Sequence, residues 1–444
     1  MRDLTQGPIP GNLLQMAAPI AVGMLAQTLY FLVDLYFVAR LGHAAIAGVS
    51  AGGIAMFLVM AMTQTLGVGT AALVAQAVGR KDPADANLVF NQAFALAATC
   101  MVFTLIGGYL LTPVYMRSLG ADAATVEAGI TYLYWFLPGL ALQYANMVMM
   151  SALRGTGVVK PTMIVQMATV LLNVILAPVL IAGIGTDRPL GVAGAALAST
   201  ISVFAGLLLL VGYFRHLEKY VQFRAALWRP RLAVWGRMLN IGIPAGGEFA
   251  LMFIYMAVIY WVIRDFGAAA QAGFGVGTRL MQAIFLPAMA IAFATGPIAG
   301  QNYGAQLYGR VRETFRAAAI MSAVLMFALT LVCQWSPGWL VAQFSGEPGV
   351  IAVGSQFLRI ISWNFVASGL IFTCSGVFQG LGHTWPALVS SSSRILSFVL
   401  PAVWLTTLPG LRLDHVWYLS VASVMSQMVL SLVLLRRVMR ERFK

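Results

Sequence analysis

Residues 161–186 read PTMIVQMATVLLNVILAPVLIAGIGT, and residues 189–214 read PLGVAGAALASTISVFAGLLLLVGYF. Neither stretch contains a charged residue, and each has 26 residues, whereas about 20 apolar residues are enough to cross the hydrocarbon core of a bilayer. Similar runs recur along the 444-residue chain, of which only 9% is charged. A soluble domain carries about 25% charged residues. The sequence therefore predicts an all-α integral membrane protein.

Hydropathy and the breaks between apolar runs predict twelve transmembrane helices. Their predicted bounds are 12–38, 45–79, 86–112, 126–152, 161–184, 190–215, 237–263, 270–304, 312–334, 349–378, 386–407 and 415–438. Of the 27 Lys and Arg residues, 19 fall on one side of this arrangement and five on the other. Because cytoplasmic loops are enriched in Lys and Arg, both termini are predicted to be cytoplasmic, with the chain in the plasma (inner) membrane. The net charge of +13 thus reflects topology, and we expect no nucleic-acid partner.

An internal repeat relates the two halves of the chain. When the sequence is shifted by 225 residues, glycine, proline and glutamine landmarks coincide without a gap. The matching pairs include Pro19 with Pro244, Gly42 with Gly267, Gln76 with Gln301, Gly155 with Gly380 and Pro161 with Pro386. Each half holds six predicted helices, so both have the same topology and should be related by a pseudo-two-fold axis along the membrane normal. The predicted units are an N-lobe (1–215), an inner-side linker (216–236) and a C-lobe (237–444), an arrangement suited to alternating access.

Two carboxylates lie inside predicted spans, Asp34 in the first and Glu248 in the seventh. A charged residue at mid-membrane costs roughly 2.5–3.5 kcal/mol on insertion scales, so such residues usually face a cavity and handle ions or protons. Asp34 is the predicted cation-coupling residue, and Glu248 is a candidate for a second acidic site. The structural alternatives are that Asp34 pairs with Arg40 and that Glu248 pairs with a loop residue such as Arg237.

Polar residues on the first, fifth and sixth spans are candidates to complete the Asp34 site: Tyr30, Asn173, Ser199 and Thr200. Together they would form an oxygen-rich pocket suited to H⁺ or Na⁺. Each alone is equally consistent with an interhelical hydrogen bond. The candidates for a substrate cavity are Asn146, Met149, Arg279 and Arg394, of which the methionine and the arginines also fit simple packing or structural roles.

Catalytic signatures are absent from the sequence. It contains no P-loop for ATP and no Asp-rich motif of the kind that binds a metal-diphosphate group. The four histidines are scattered at loop edges, and the three cysteines are far apart within apolar runs. We therefore expect neither an enzyme nor a metal site, and no cofactor apart from a coupling ion.

Several ordered motifs resemble the multidrug and toxic compound extrusion (MATE) transporters. They are AAPIAVGMLAQTLYFLVDLYFVARLGHAAIAGVS at 17–50, RGTGVVKPT at 154–162, PIAGQNYGA at 297–305 and QGLGHTWP at 379–386. The resemblance covers essentially the whole chain, including the twin six-helix lobes. It implies efflux of organic cations and other amphipathic compounds in exchange for H⁺ or Na⁺, by a protein that works as a monomer among membrane lipids.

Carried over residue by residue, Asp34 matches the first-helix aspartate of the DinF-like branch, and Tyr30 and Asn173 match its neighbours. The sequence departs from the family patterns in three places. Ala177 stands where the fifth helix often has a second aspartate, Ser368 replaces the tenth-helix acid of the NorM-like branch, and Glu248 lies about one turn before that branch's glutamate. These differences favour the DinF-like branch, and a site with a single carboxylate favours H⁺ over Na⁺.

The first hypothesis is therefore a secondary antiporter for organic cations and amphiphilic drugs. The alternative within the same superfamily is a flippase for lipid-linked saccharides, which would use a cationic cavity to hold pyrophosphate. Arg279, Arg359 and Arg394 are consistent with a flippase, whereas Asp34 argues against it.

Overall fold

The computed structural model describes residues 1–119, 122–185 and 188–443, and within its helices it leaves six side chains undescribed: Phe31, Asp34, Leu35, Ala51, Ile54 and Ala55. The described residues are helical almost throughout, joined by short turns. The α-helices are α1 (Ile9–Ala39), α2 (His43–Gly79), α3 (Pro83–Leu119), α4 (Ala123–Gly155), α5 (Lys160–Ala182), α6 (Gly191–His216), α7 (Leu232–Val262), α8 (Ala268–Gly304), α9 (Tyr308–Trp335), α10 (Pro337–Ala342), α11 (Pro348–Ile361), α12 (Asn364–Gly380), α13 (Trp385–Thr406) and α14 (Leu413–Arg442).

Eleven of these helices are long and apolar enough to cross a membrane, and α11 and α12 together make a twelfth span. The prediction of a multi-span, all-α membrane protein is confirmed. The prediction of one straight span over 349–378 is wrong in detail, because α11 and α12 meet at an angle of 57°.

Polar side chains from α9 explain the break between α11 and α12. Thr330 Oγ1 donates a hydrogen bond of 2.9 Å to the carbonyl of Ser362. Gln334 Nε2 donates to the Arg359 carbonyl at 2.6 Å and to Ser362 Oγ at 2.8 Å. The helix-breaking turn thus has its polar groups satisfied. In the first repeat, the positions of Thr330 and Ser362 are taken by leucines, and α4 runs unbroken.

The chain divides into two compact units, so the fold has two lobes. Unit 1 comprises Met1–Asp3 and Ala18–Gly246, and unit 2 comprises Leu4–Ala17 and Gly247–Lys444. The division therefore falls inside α1 and α7, close to Pro19 and Pro244. The lobe limits inferred from the sequence, at 215 and 237, stay a prediction.

In unit 1, α4 is the central helix. It packs against α2, α3 and α6, and α5 packs on α6. Close approach depends on glycine. A Cβ on Gly48 of α2 would lie 2.7 Å from the backbone nitrogen of Gly129 on α4, and a Cβ on Gly155 would lie 2.9 Å from the carbonyl oxygen of Ala71. Small residues at such crossings let helix backbones pack closely in a membrane.

In unit 2, α8 and α12 form the corresponding core. α8 packs on α11 and α12, α9 packs on both α8 and α12, and α13 packs on α14. Gly273 repeats the role of Gly48, since a Cβ there would lie 2.7 Å from Val353 Cβ and 3.0 Å from the backbone nitrogen of Gly354.

The repeat inferred from the sequence is present in the helix bounds. α2 and α8 begin and end 225 residues apart, as do α4 and the α11–α12 pair. Gly42 and Gly267, which precede α2 and α8, have positive φ angles of 103° and 92°, a backbone conformation that favours glycine. The same geometry recurs at Lys81 and Gln306, with φ angles of 58° and 60°. The two halves therefore share backbone geometry down to single turns.

Candidate functional site

The predicted coupling residue lies on α1. Asp34 falls within this helix, but its side chain lies outside the described residues. Tyr30, one turn earlier, is half-buried on the same helix. Arg40, the alternative partner of Asp34, donates a hydrogen bond to the Tyr36 hydroxyl and lies 4.5 Å from the centre of the Tyr36 ring.

Two of the residues predicted to accompany Asp34 meet inside unit 1. Asn173 on α5 and Ser199 on α6 are both buried, and the Asn173 amide donates to Ser199 Oγ at 3.4 Å. The Asn173 side-chain carbonyl oxygen is buried with no hydrogen-bond partner among the described residues. Because an unpaired buried acceptor is costly, it is a natural site for a proton donor or a small cation.

Thr200 does not join this pair. Its hydroxyl donates to the Trp135 carbonyl on α4 at 2.7 Å. Asn146 and Met149, candidates for the substrate cavity, are buried on α4. The Asn146 amide donates to the Val203 carbonyl at 3.2 Å, and Met149 belongs to the apolar core of unit 1. Their predicted part in a substrate cavity stays a prediction.

Glu248 lies in a polar cluster inside unit 2. Its carboxylate accepts hydrogen bonds from Ser375 Oγ on α12 at 2.8 Å and from Ser391 Oγ on α13 at 3.4 Å. Gly247, beside it, leaves room for the Leu388 side chain, 3.2 Å from where a Cβ would stand. The glutamate is half-buried, and within the described residues no basic side chain forms an ion pair with it. An ionised Glu248 is therefore stabilised by hydroxyl groups and not by a counter-charge.

Glutamine side chains extend this cluster. Gln427 on α14 donates to Ser391 Oγ at 3.3 Å, and Gln379 on α12 donates to Ser375 Oγ at 3.4 Å. The Gln427 side-chain carbonyl oxygen has no partner in the described part of the chain. Sequence reasoning missed these four residues. The run of four serines at 390–393 within an otherwise apolar helix was the available signal.

The intramembrane arginines lie in different surroundings. Arg394 on α13 lies over the ring of Tyr255, 3.9 Å from its centre, and its Nε has no hydrogen-bond partner within the described ranges. Arg279 on α8 is exposed. Arg237, the alternative partner of Glu248, instead contacts Asp85 at 3.5 Å in unit 1.

Metal chemistry finds no support in the described residues, where no three His, Cys, Asp or Glu side chains lie close enough to hold an ion. The arrangement therefore offers two separate polar sites. One is the Asn173–Ser199 pair in unit 1, and the other is the Glu248–Ser375–Ser391 cluster in unit 2.

Comparison with known proteins identifies both halves of the chain. The sequence model of the MatE family matches residues 19–179 and again 244–405. These two matches fall on the two copies of the repeat and together cover more than half of the chain.

Two curated relatives and one solved structure illustrate this similarity. The "Probable multidrug resistance protein YpnP" of Bacillus subtilis (strain 168) is 27% identical over 420 residues, covering 94% of this chain and 90% of the relative. The "FAD transporter" of Shewanella oneidensis is 25% identical over 401 residues, covering 90% and 88%. A crystal structure of a MATE protein in complex with MaL6 has a TM-score of 0.93 at 24% identity, covering 99% of this chain and 98% of the other.

Proposed function

Because the chain belongs to the MatE family of membrane transporters, whose members are not enzymes, we propose that it is a secondary antiporter. Its proposed cargo is organic cations and drug-like amphiphiles, exported in exchange for H⁺, with Na⁺ as the alternative coupling ion. The observation that carries this proposal is the match of the family model to both halves of the chain, together with a relative described as a multidrug resistance protein. The proposed setting is a monomer in the plasma (inner) membrane, with both termini cytoplasmic.

The proposed coupling site lies in the first half of the chain. Asp34 binds the proton, and Tyr30, Asn173, Ser199 and Thr200 surround it. The buried and unpaired Asn173 oxygen supports this assignment, since it provides an acceptor that a protonated carboxyl group or a small cation satisfies. Occupancy of Asp34 by a proton and by a cationic substrate is mutually exclusive, and this competition couples the two fluxes.

The preference for H⁺ rests on the number of carboxylates. Position 177 on α5, where a second aspartate is common in the family, is a fully buried alanine. A bare Na⁺ requires several oxygen ligands and gains from more negative charge, whereas a proton needs one carboxylate. The same alanine, together with Ser368, supports assignment to the DinF-like branch.

Dye efflux from cells tests the role of Asp34. Asp34→Asn keeps the size of the side chain but cannot exchange a proton, so efflux should fall to the level of cells without the transporter. Asp85→Asn is the matched control, because Asp85 lies at the start of α3 and pairs with Arg80 at 2.6 Å. Efflux that persists in Asp34→Asn, at wild-type protein levels in the membrane, would eliminate this mechanism.

We further propose that Glu248 is a second proton-exchanging site. Its two hydroxyl partners stabilise the carboxylate, while the lack of an ion pair in the described residues leaves protonation as the way to remove its charge. Glu248→Gln should reduce the rate of pH-driven transport without abolishing it, and the double variant Ser375→Ala/Ser391→Ala should show the same defect. Wild-type rates and pH dependence in Glu248→Gln would assign the residue to structure alone.

The cargo has one rival class. A relative described as an FAD transporter favours a nucleotide cofactor as the alternative substrate, and Arg394 supplies a cation for such an anion. Substrate competition distinguishes the two. Excess FAD should leave the efflux of a cationic dye unchanged if the cargo is cationic, and should suppress it if the cavity is built for the cofactor.

A further inference from the structure

The connection between α6 and α7, residues 217–231, is fixed to α3 by side-chain amides. Asn87 donates to the Tyr220 carbonyl at 2.8 Å and accepts from the backbone N–H of Gln222 at 2.8 Å. Asn91 donates to the Gln222 carbonyl at 2.9 Å and accepts from the Arg224 N–H at 2.9 Å. Each amide therefore uses both its donor and its acceptor on the backbone of this connecting segment.

Gln92 continues the same pattern further along. It donates to the carbonyls of Leu227 and Arg229 at 2.6 and 2.7 Å, and its oxygen accepts from the Arg231 N–H at 2.8 Å. Because satisfied backbone groups have no need of water, the segment is held in one conformation against the helix. It is a platform of fixed shape and not a loose tether.

An aromatic cluster supports the platform from below. Phe223 contacts Phe90, Phe94 and Phe214, with ring centres 5.1–5.7 Å apart. Trp228 lies 6.0 Å from Phe94 and donates its indole N–H to Asn91 Oδ1 at 2.8 Å. These contacts occupy the inward side of the segment and leave its charged side chains facing outward.

The outward face is cationic and partly apolar. Five basic side chains in and next to the segment are exposed, and none forms an ion pair among the described residues: Arg215, Lys219, Arg224, Arg229 and Arg231. The one acid in this stretch, Glu218, is buried and accepts from the Tyr220 N–H at 2.9 Å. Leu217, Trp228 and Leu232 remain 67%, 45% and 76% exposed.

We propose that this platform binds the headgroups of anionic phospholipids. Its two ends continue into α6 and α7, both of which are long and apolar enough to span a membrane, so the segment begins and ends at the bilayer surface. Arginine recognises phosphate through paired hydrogen bonds, and tryptophan is enriched at the membrane interface. The interleaved exposed leucines favour a lipid over a water-soluble anion, because they gain by contact with acyl chains.

Lipid titration of the purified full-length protein tests the proposal. The protein is stripped of lipid in detergent and then titrated with phosphatidylglycerol or phosphatidylcholine, while bound lipid is counted by native mass spectrometry. Each basic residue near an anionic surface strengthens binding roughly fivefold. The triple variant Arg224→Gln/Arg229→Gln/Arg231→Gln should therefore weaken phosphatidylglycerol binding by at least about tenfold and leave phosphatidylcholine binding unchanged.

A matched control separates this surface from net charge. Arg436→Gln/Arg437→Gln/Arg440→Gln removes the same charge from exposed positions of α14 and should bind phosphatidylglycerol as the wild type does. Asn91→Ala keeps every charge but releases the platform, and it should lose selectivity for phosphatidylglycerol. Thermal unfolding in detergent shows whether each variant is folded.

Three outcomes would overturn the proposal. They are equal loss in both triple variants, unchanged binding in the platform variant, and displacement of phosphatidylglycerol by inorganic phosphate, which would indicate a site for a soluble anion. The measurement does not involve transport, so it stands apart from the antiport proposal.

Discussion

At the scale of single residues, glycines decide how closely the helices of unit 1 approach. Gly48 and Gly53 lie on the same helix but in different surroundings. A Cβ at Gly48 would stand 2.7 Å from the Gly129 nitrogen and 2.9 Å from the Thr125 carbonyl oxygen, whereas a Cβ at Gly53 would meet nothing within 4 Å. The same Gly→Ala change should therefore have opposite effects at the two positions.

Gly48→Ala should lower the free energy of unfolding by about 1–3 kcal/mol, because backbone atoms cannot move aside as a side chain can. Gly53→Ala should be neutral or stabilising by up to about 1 kcal/mol, since alanine favours helix more than glycine does. Thermal unfolding of the two purified variants in detergent measures the difference. Equal melting temperatures would contradict the close contact between α2 and α4.

The two polar sites show which residue-level features the sequence could reveal. Asp34 and Glu248 were predictable as candidates, because a carboxylate in an apolar run is rare and costly. The partners of Glu248 were not, since Ser375 and Ser391 lie 127 and 143 residues further along the chain and meet it only when three helices pack together. Thr200 shows the converse case, in which a suitable hydroxyl on the expected helix is committed elsewhere.

At the scale of elements, the two repeats start their equivalent helices differently. Asp122 caps α4 by accepting from the Thr125 N–H at 2.7 Å, whereas Glu347, at the equivalent position before α11, makes no side-chain cap. The hydrogen bond from Thr125 lowers the pKa of Asp122 below its ordinary value of 3.8. A lowered pKa means that the cap stabilises the fold fully above the ordinary value and is lost as the pH falls through the folded-state pKa.

Asp122→Ala should therefore lower the melting temperature at neutral pH, and its difference from the wild type should narrow in acid below the ordinary pKa. Glu347→Ala is the control and should change the melting temperature little at any pH. Melting curves recorded from neutral to acidic pH provide the measurement. A gap that is independent of pH, or an equal effect of Glu347→Ala, would show that the cap contributes no stability.

The bend between α11 and α12 is an element that hydropathy could not reveal. Apolar content is continuous across the break, and the cause is a set of hydrogen bonds from α9. Gln334→Leu should destabilise the protein by about 1–3 kcal/mol, because the Arg359 carbonyl and the Ser362 hydroxyl lose their donor. Gln343→Leu makes the same change at an exposed site and should have little effect. Similar unfolding of both variants would indicate that the bend does not depend on these bonds.

At the scale of the whole molecule, the repeat made the architecture predictable. Matching landmarks 225 residues apart fixed both the number of spans and their grouping, and the helix bounds reproduce that shift. The path of residues 217–231 was not predictable, since it depends on three amides reaching backbone groups more than 130 residues away. The functional residues break the repeat. Asn173 and Ser199 correspond to Phe398 and Val424, so chemistry differs between halves that share a backbone.

This asymmetry leads to the central claim, that a single carboxylate in the first half couples transport to protons. The most direct measurement is uptake of a fluorescent organic cation into proteoliposomes, driven separately by a pH gradient and by a Na⁺ gradient, for the wild type and Asp34→Asn. We predict uptake by the wild type with the pH gradient alone, and none by Asp34→Asn with either gradient. Uptake driven by Na⁺ alone, or pH-driven uptake that survives in Asp34→Asn, would contradict the claim.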